Sequence, residues 1–189
     1  MNRKISLALV ALLATLSLSA EVKKTFYDNG KVKFERNYTN GKLNGTARAF
    51  YESGTIKTRT NFRDGKVHGT TYGYYKNGVL KAEIPMRKGK IDGTQREYYN
   101  NSQIMSISKF RMDVLIGGKK IYFSNGNMKA KLNFDDNGKF YGTQKEYYKN
   151  GNMKYKVVVE NAKAKKGRIY EMNGDSRKMN SVDFTKLGF

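Results

Sequence analysis

An aromatic pair followed two residues later by a tight-turn dipeptide recurs seven times along this chain. The copies begin at Phe26-Tyr27, Phe50-Tyr51, Tyr74-Tyr75, Tyr98-Tyr99, Tyr122-Phe123 and Tyr147-Tyr148, with a remnant at Tyr170-Glu171. The turns that follow are Asn29-Gly30, Ser53-Gly54, Asn77-Gly78, Asn101-Ser102, Asn125-Gly126, Asn150-Gly151 and Asn173-Gly174. The first aromatics lie at positions 26, 50, 74, 98, 122, 147 and 170, so successive steps are 24, 24, 24, 24, 25 and 23 residues. A fixed period of this length marks a repeat architecture, in which each unit packs only on its neighbours. Such proteins act through extended surfaces, which makes a single catalytic pocket the less expected design.

Each period holds a second turn. Asn40-Gly41, Asp64-Gly65, Lys88-Gly89, Met112-Asp113, Asn137-Gly138 and Asn161-Ala162 occupy that slot. Between turns lie segments of roughly eight residues rich in Tyr, Phe, Thr, Val and Ile, the composition of strands. Asn-Gly between such runs predicts hairpins with type I′ turns, whose two central residues both need positive φ. The fold class expected is all-β: an elongated antiparallel β-meander of about six and a half 24-residue β-hairpin repeats. An apolar residue and then a glycine follow the second turn, as in Leu43 and Gly45, Val67 and Gly69, Ile91 and Gly93, or Ala164 and Gly167. These glycines are expected to leave room for an aromatic ring of the neighbouring repeat. The aromatic pairs are expected to supply the packing between repeats.

The first twenty residues read differently. Asn2, Arg3 and Lys4 form a basic start, Ile5–Leu18 is an uncharged apolar run, and Ser17, Ser19 and Ala20 are small residues before Glu21. This is the layout of a secretory signal peptide cleaved before Glu21. The run is 14 residues, short of the about 20 needed to span a membrane; an uncleaved anchor is the alternative. The expected organisation is signal peptide 1–20, repeat domain 21–177 and a C-terminal cap or tail 178–189, with Phe184, Leu187 and Phe189 covering the last hairpin. The destination is the periplasm, the outer surface or the medium.

The repeats resemble the MORN repeat. The resemblance rests on the aromatic pair, the turn glycine and the downstream element seen as Gly41-Lys42-Leu43-Asn44-Gly45, Gly65-Lys66-Val67-His68-Gly69 and Gly89-Lys90-Ile91-Asp92-Gly93. The Asn-Gly-x-apolar-Lys element is similar to the bacterial MORN-variant form, as in the YwqK-type antitoxin family. It covers residues 26 to about 177. It implies a single-layer twisted meander, and binding roles toward membrane lipid, partner proteins or a toxin to be neutralised. A signal peptide departs from a cytosolic antitoxin.

Catalytic chemistry has few residues to draw on. The chain has one histidine, His68, and no cysteine, so a Cys-His pair is impossible and a zinc site lacks ligands. His68 stands in a slot held elsewhere by Asn44, Asp92, Ile116 or Tyr141, which reads as a solvated position. Gly117-Gly118-Lys119-Lys120 lacks the rest of a phosphate loop. No enzymatic activity, cofactor or metal is expected.

Charge is the stronger signal. The chain carries 37 Lys+Arg against 16 Asp+Glu, a balance that favours anionic partners. Export disfavours nucleic acid among them. Two lysine ladders recur at fixed slots. Lys33, Lys57, Lys81, Lys129 and Lys154, continued by Arg177, form the first; Lys42, Lys66, Lys90, Lys139 and Lys163 form the second. They could bind an anionic envelope surface, lipid or glycan, or simply keep the sheet from pairing with other sheets. Both ladders break in the fourth repeat, at Met105 and Val114. With Ile104, Ile107, Met112 and Ile116 these residues make a candidate protein-contact stripe, for a partner protein or a second copy of the chain. The leading reading is an exported protein-binding scaffold of the antitoxin or immunity kind. The alternative is a peripheral binder of anionic lipid or glycan.

Overall fold

A computed structural model describes residues 19–188. The signal-peptide segment before Ser19, and Phe189 of the expected cap, lie outside the described residues. Among the described residues seventeen strands form a single antiparallel sheet in which each long strand pairs with the next. The chain enters through Ala20–Phe26. Long outgoing strands follow at Val32–Thr39, Ile56–Arg63, Leu80–Arg87, Ile104–Arg111, Met128–Phe134 and Met153–Glu160. Each reverses at a tight turn and returns. The returning strands are Gly45–Phe50, Gly69–Tyr74, Gly93–Tyr98, Val114–Tyr122, Gly142–Tyr147 and Lys163–Tyr170. In the first three repeats a two-residue strand such as Lys42–Leu43 precedes the returning strand. The meander closes with Ser176–Lys178 and a short helix, Ser181–Lys186.

The two turns of each repeat belong to different types. At the second turn Asn40 and Gly41 both have positive φ (50° and 73°), as do Asp64 and Gly65; this is the expected type I′ geometry. At the aromatic turn only the glycine is left-handed, Gly30 at 79°. Tyr27 donates its N–H to Lys31 O at 2.8 Å and accepts from Gly30 N at 2.9 Å. That is a three-residue loop, a type I turn closed by a left-handed residue. The expectation of type I′ turns throughout therefore fails at the aromatic turns. The reason is register: Phe26 faces Val32 while Thr25 faces Phe34, so the outgoing strand carries one extra residue.

The irregular steps have local causes. The fifth period gains its residue at the tight turn, where Asp135 N–H meets Lys139 O and Gly138 N–H meets Asp135 O, at 2.8 and 3.1 Å. A three-residue loop replaces the two-residue turn. The sixth period loses one at the bulge after the turn. There Val159 faces Ala164 and Val158 faces Lys166, leaving only Lys165 unmatched. In the fourth repeat Lys109 faces Ile116 and Ser108 faces Lys119, leaving two.

The bulge glycines also differ from expectation. Gly45 has φ +90° with only Asn37 side-chain atoms near the position of a Cβ, at 3.6 and 3.7 Å. The position selects glycine for its backbone conformation, not to admit a ring. Gly167 is the exception that does make room: its φ is not positive, and a Cβ there would collide with Met179 Sδ and lie 2.9 Å from Phe184 Cε1.

No aromatic of the seven pairs is fully buried, so the expected packing between repeats is made by half-buried rings at the surface of the sheet and not by a closed core. The buried apolar cluster is Tyr155, Val157 and Val159, with Phe140, Ala164, Ile169, Met179, Phe184 and Leu187 packed against it. This cluster sits at the C-terminal end, under the terminal helix, while Ile116 and Ala130 are buried apart from it in the fourth and fifth repeats. Phe184 and Leu187 cap it as expected. The helix is tied down by a capping box between Asn180 and Asp183. Arg177 adds two bonds to the Asp183 carboxylate, at 2.6 and 2.9 Å.

Candidate functional site

Repeats are joined by a ladder of tyrosine hydroxyls. Tyr27 Oη donates to Phe50 O at 2.7 Å, Tyr51 to Tyr74 O at 2.7 Å, and Tyr75 to Tyr98 O at 2.8 Å. Tyr99 reaches Tyr122 O at 2.7 Å and Tyr148 reaches Tyr170 O at 3.0 Å. The second aromatic of each pair thus clasps the carbonyl of the first aromatic one repeat on. The rung is missing at Phe123, which has no hydroxyl.

The first lysine ladder lies on these rings. Lys33, Lys57, Lys81 and Lys129 place Nζ 5.4, 5.7, 5.5 and 5.8 Å from the ring centroids of Tyr27, Tyr51, Tyr75 and Phe123. Cation–π contact of this kind is worth about 0.5–1 kcal/mol at an exposed site. Lys154 turns instead to Glu146 Oε1 at 2.8 Å. Arg177 leaves the ladder for Asp183, whose carboxyl is held down at a pKa of about 2, first by the Arg177 guanidinium and then by the Asn180 N–H. The second ladder, Lys42, Lys66, Lys90, Lys139 and Lys163, is exposed directly after the tight turns, at the strand ends away from the aromatic turns. The two ladders therefore run along opposite rims of the sheet.

The six stripe residues do not make one open patch. Ile104 and Val114 are each 37 % exposed, whereas Ile116 is 4 % exposed. Met105, Ile107 and Met112 are half-buried. Ile107 and Val114 share a face, because Val114 lies directly opposite Arg111, four residues beyond Ile107 on an alternating strand. His68 occupies the bulge slot, its N–H donating to Asn61 O at 2.9 Å. Among the described residues no three His, Cys, Asp or Glu side chains cluster.

The register reveals a further row that the ladders do not include. Residues directly opposite one another share a face, and one such row crosses fourteen strands. Its first part is Lys24, Glu35, Arg48, Arg59, Tyr72, Glu83 and Arg96. It passes through Ile107. It continues as Lys120, Lys131, Lys145, Lys156, Arg168 and Lys178. In the first part every base has a partner. Lys24 and Arg48 lie 3.3 and 2.6 Å from Glu35, and Arg96 lies 3.7 Å from Glu83. Arg59 sits 4.5 Å from the Tyr72 ring centroid. The Glu35 carboxyl is held below its ordinary pKa, chiefly by the Arg48 hydrogen bond. In the second part there are six bases and no acid. The spacing of these six in sequence is irregular, so no periodicity betrays them; they emerge only when residues are matched across the turns.

Gln144, fully buried at 0 % exposure, replaces a stretch of backbone pairing on the other face. Its Oε1 accepts from Asn133 N at 2.7 Å, and its Nε2 donates to Asn133 O and Tyr141 O at 3.0 and 2.9 Å. A buried amide is tolerated because each of its groups is satisfied.

The sequence model of a known repeat family, the MORN repeat variant, matches residues 22–40, 43–64, 67–88, 91–111, 119–139 and 140–161. These six segments cover more than half the chain and coincide with the structural repeats. No curated protein matches the sequence.

Proposed function

The chain belongs to the MORN repeat variant family, and on that premise we propose that it is an exported, non-catalytic scaffold that binds a protein partner. The observation that carries this reading is the fourth repeat. Three slots that are charged in most other copies are apolar there together. Met105 stands where Lys33, Lys57, Lys81, Lys129 and Lys154 stand. Ile107 takes the place of Glu35, Arg59, Glu83, Lys131 and Lys156, and Val114 that of Lys42, Lys66, Lys90, Lys139 and Lys163. Solvent-facing apolar groups in an otherwise charged sheet suit contact with another protein. The finer form of the proposal is an antitoxin or immunity role of the YwqK kind, the partner being a toxic protein that the sheet covers. Export rests on the basic start, the apolar run Ile5–Leu18 and the small residues before Glu21.

The test is capture from the cell envelope with the full chain and with M105K/V114K, at low and high salt. A partner, or a second copy, held by the wild type at both salts and lost by the variant supports the reading. Equal capture by both proteins, or none by either, overturns it.

A further inference from the structure

The uncompensated half of the cross-strand row is an interaction surface distinct from the fourth-repeat stripe, and its argument stands apart from the protein-contact reading. Lys120, Lys131, Lys145, Lys156, Arg168 and Lys178 follow one another on six consecutive strands. Like charges directly opposite each other across strands oppose pairing. The same row in the first repeats removes that repulsion with Glu35 and Glu83. Here none of the six has an ion-pair partner among the described residues. Arg168 has only a hydrogen bond to Ser176 Oγ, at 2.8 Å.

The geometry narrows the ligand. Five strand spacings of about 4.8 Å make a single file of charge about 24 Å long. It is a line more than a field: on one side the parallel row of the same face carries Gly118, Asn133, Thr143 and Val158 before Lys166, and on the other side the row carries Tyr122, Tyr147 and Tyr170. Two hollows lie along the file and share Lys156. One is lined by Lys131, Asn133, Thr143, Lys145 and Lys156. The other includes Lys156, Lys166, Arg168, Lys178 and Tyr170. A bilayer is matched by a broad basic surface with exposed apolar side chains to insert; the apolar residues of the second hollow, Val158, Met179 and Phe184, are half-buried. Single-stranded nucleic acid is held by aromatic platforms between the basic groups; the aromatics of this face, Tyr122, Tyr147 and Tyr170, stand in the adjacent row, two residues along their strands, and not between the charges of the file. Regularly spaced anions on a polar chain meet the pattern best, with lysines on the charges and the Asn133 and Thr143 strip beside the hydroxyls. We propose that this file binds one chain of an anionic polysaccharide laid across the strands.

The experiment measures binding of the full chain to polygalacturonate, with neutral dextran, anionic phospholipid vesicles and a single-stranded oligonucleotide as comparators, between about 50 and 200 mM salt. Two variants accompany it: K131Q/K145Q/K156Q in the file, and R63Q/K76Q/K88Q at exposed bases remote from it. The expected result is salt-dependent binding to polygalacturonate and none to dextran. The file variant should bind about tenfold more weakly or worse, with a salt slope reduced by roughly half as three of six contacts vanish. The remote variant, with the same change in net charge, should bind like the wild type. Equal losses in both variants would make the effect one of net charge and overturn the site. Absence of polymer binding, an unaffected file variant, or tighter binding to vesicles or oligonucleotide than to the polymer would also overturn it. Far-ultraviolet circular dichroism checks the fold of both variants; the file variant relieves repulsion and should remain folded.

Discussion

A single hydroxyl group decides each contact in the tyrosine ladder. Tyr75 Oη meets Tyr98 O at 2.8 Å, and the equivalent donor is missing only where Phe123 stands among the five full pairs that follow Phe26-Tyr27. A net intramolecular hydrogen bond contributes about 0.5–1.5 kcal/mol. Tyr75→Phe should therefore lower stability by about that amount, because the ring and its Lys81 contact remain. Phe123→Tyr should raise stability by a similar amount, since Tyr147 O is the carbonyl left without a tyrosine donor. Urea denaturation of the two variants reads both effects. A stabilising Tyr75→Phe or a destabilising Phe123→Tyr would remove the clasp from the account of the fold. The sequence showed the aromatic pair and its period but suggested core packing. It could not show that the rings are half-buried and hold a carbonyl of the next repeat, because that depends on the twist between hairpins.

At the scale of elements, the C-terminal helix is a separable part held by few contacts. It rests on Val157 and Val159 through Phe184 and Leu187, and on the Asp183 carboxylate through Arg177 and Asn180. Asp183 has a pKa lowered from 3.8 to about 2. A depressed carboxyl pKa means that the docked state prefers the ionised form. Its stabilising effect is present above the unfolded value and is lost as pH falls through about 2. Phe184 resonances should therefore move toward those of an undocked tail between about pH 4 and 2, ahead of the central strands. Asp183→Asn should remove that transition, and Gly167→Ala should loosen the same helix by collision with Met179 and Phe184. A Phe184 signal unchanged down to pH 2 would show that the ion pair does not hold the tail. The cap was readable from Phe184 and Leu187 after the last repeat. The two turn types were not: Asn29-Gly30 and Asn40-Gly41 are the same dipeptide, and only the bulge opposite Thr25 and Phe26 tells them apart. Residue count was the usable clue, since the steps of 25 and 23 mark a longer turn and a shorter bulge.

Across the whole molecule, the repeats were readable because Asn-Gly turns and aromatic pairs recur at fixed intervals, whereas the basic file was not. Lys120 and Lys131 join one row only when folded about the turn between them, and a linear search for periodic lysines finds the rims instead. The molecule is also asymmetric in a way the repeat conceals. Its first strand, Ala20–Phe26, is exposed along its whole length, while Tyr155, Val157 and Val159 are buried beneath the cap. In a repeat array each unit is stabilised mainly by its neighbours, so ends without a cap open first. Pairing with Val32–Thr39, with the Lys24–Glu35 ion pair and the Lys23 contact on the Tyr38 ring, holds the first strand, and its charges, Glu21, Lys23 and Lys24, suit the edge it forms among the described residues, one that must not recruit other sheets. Native-state amide exchange should consequently be fastest in Ala20–Phe26 and slowest in Met153–Glu160, with protection rising through the intervening repeats. Phe123→Tyr should raise protection most where the fifth and sixth repeats meet. Uniform exchange across all strands would mean that the sheet opens as one cooperative unit, and the nearest-neighbour description would then fail for this chain.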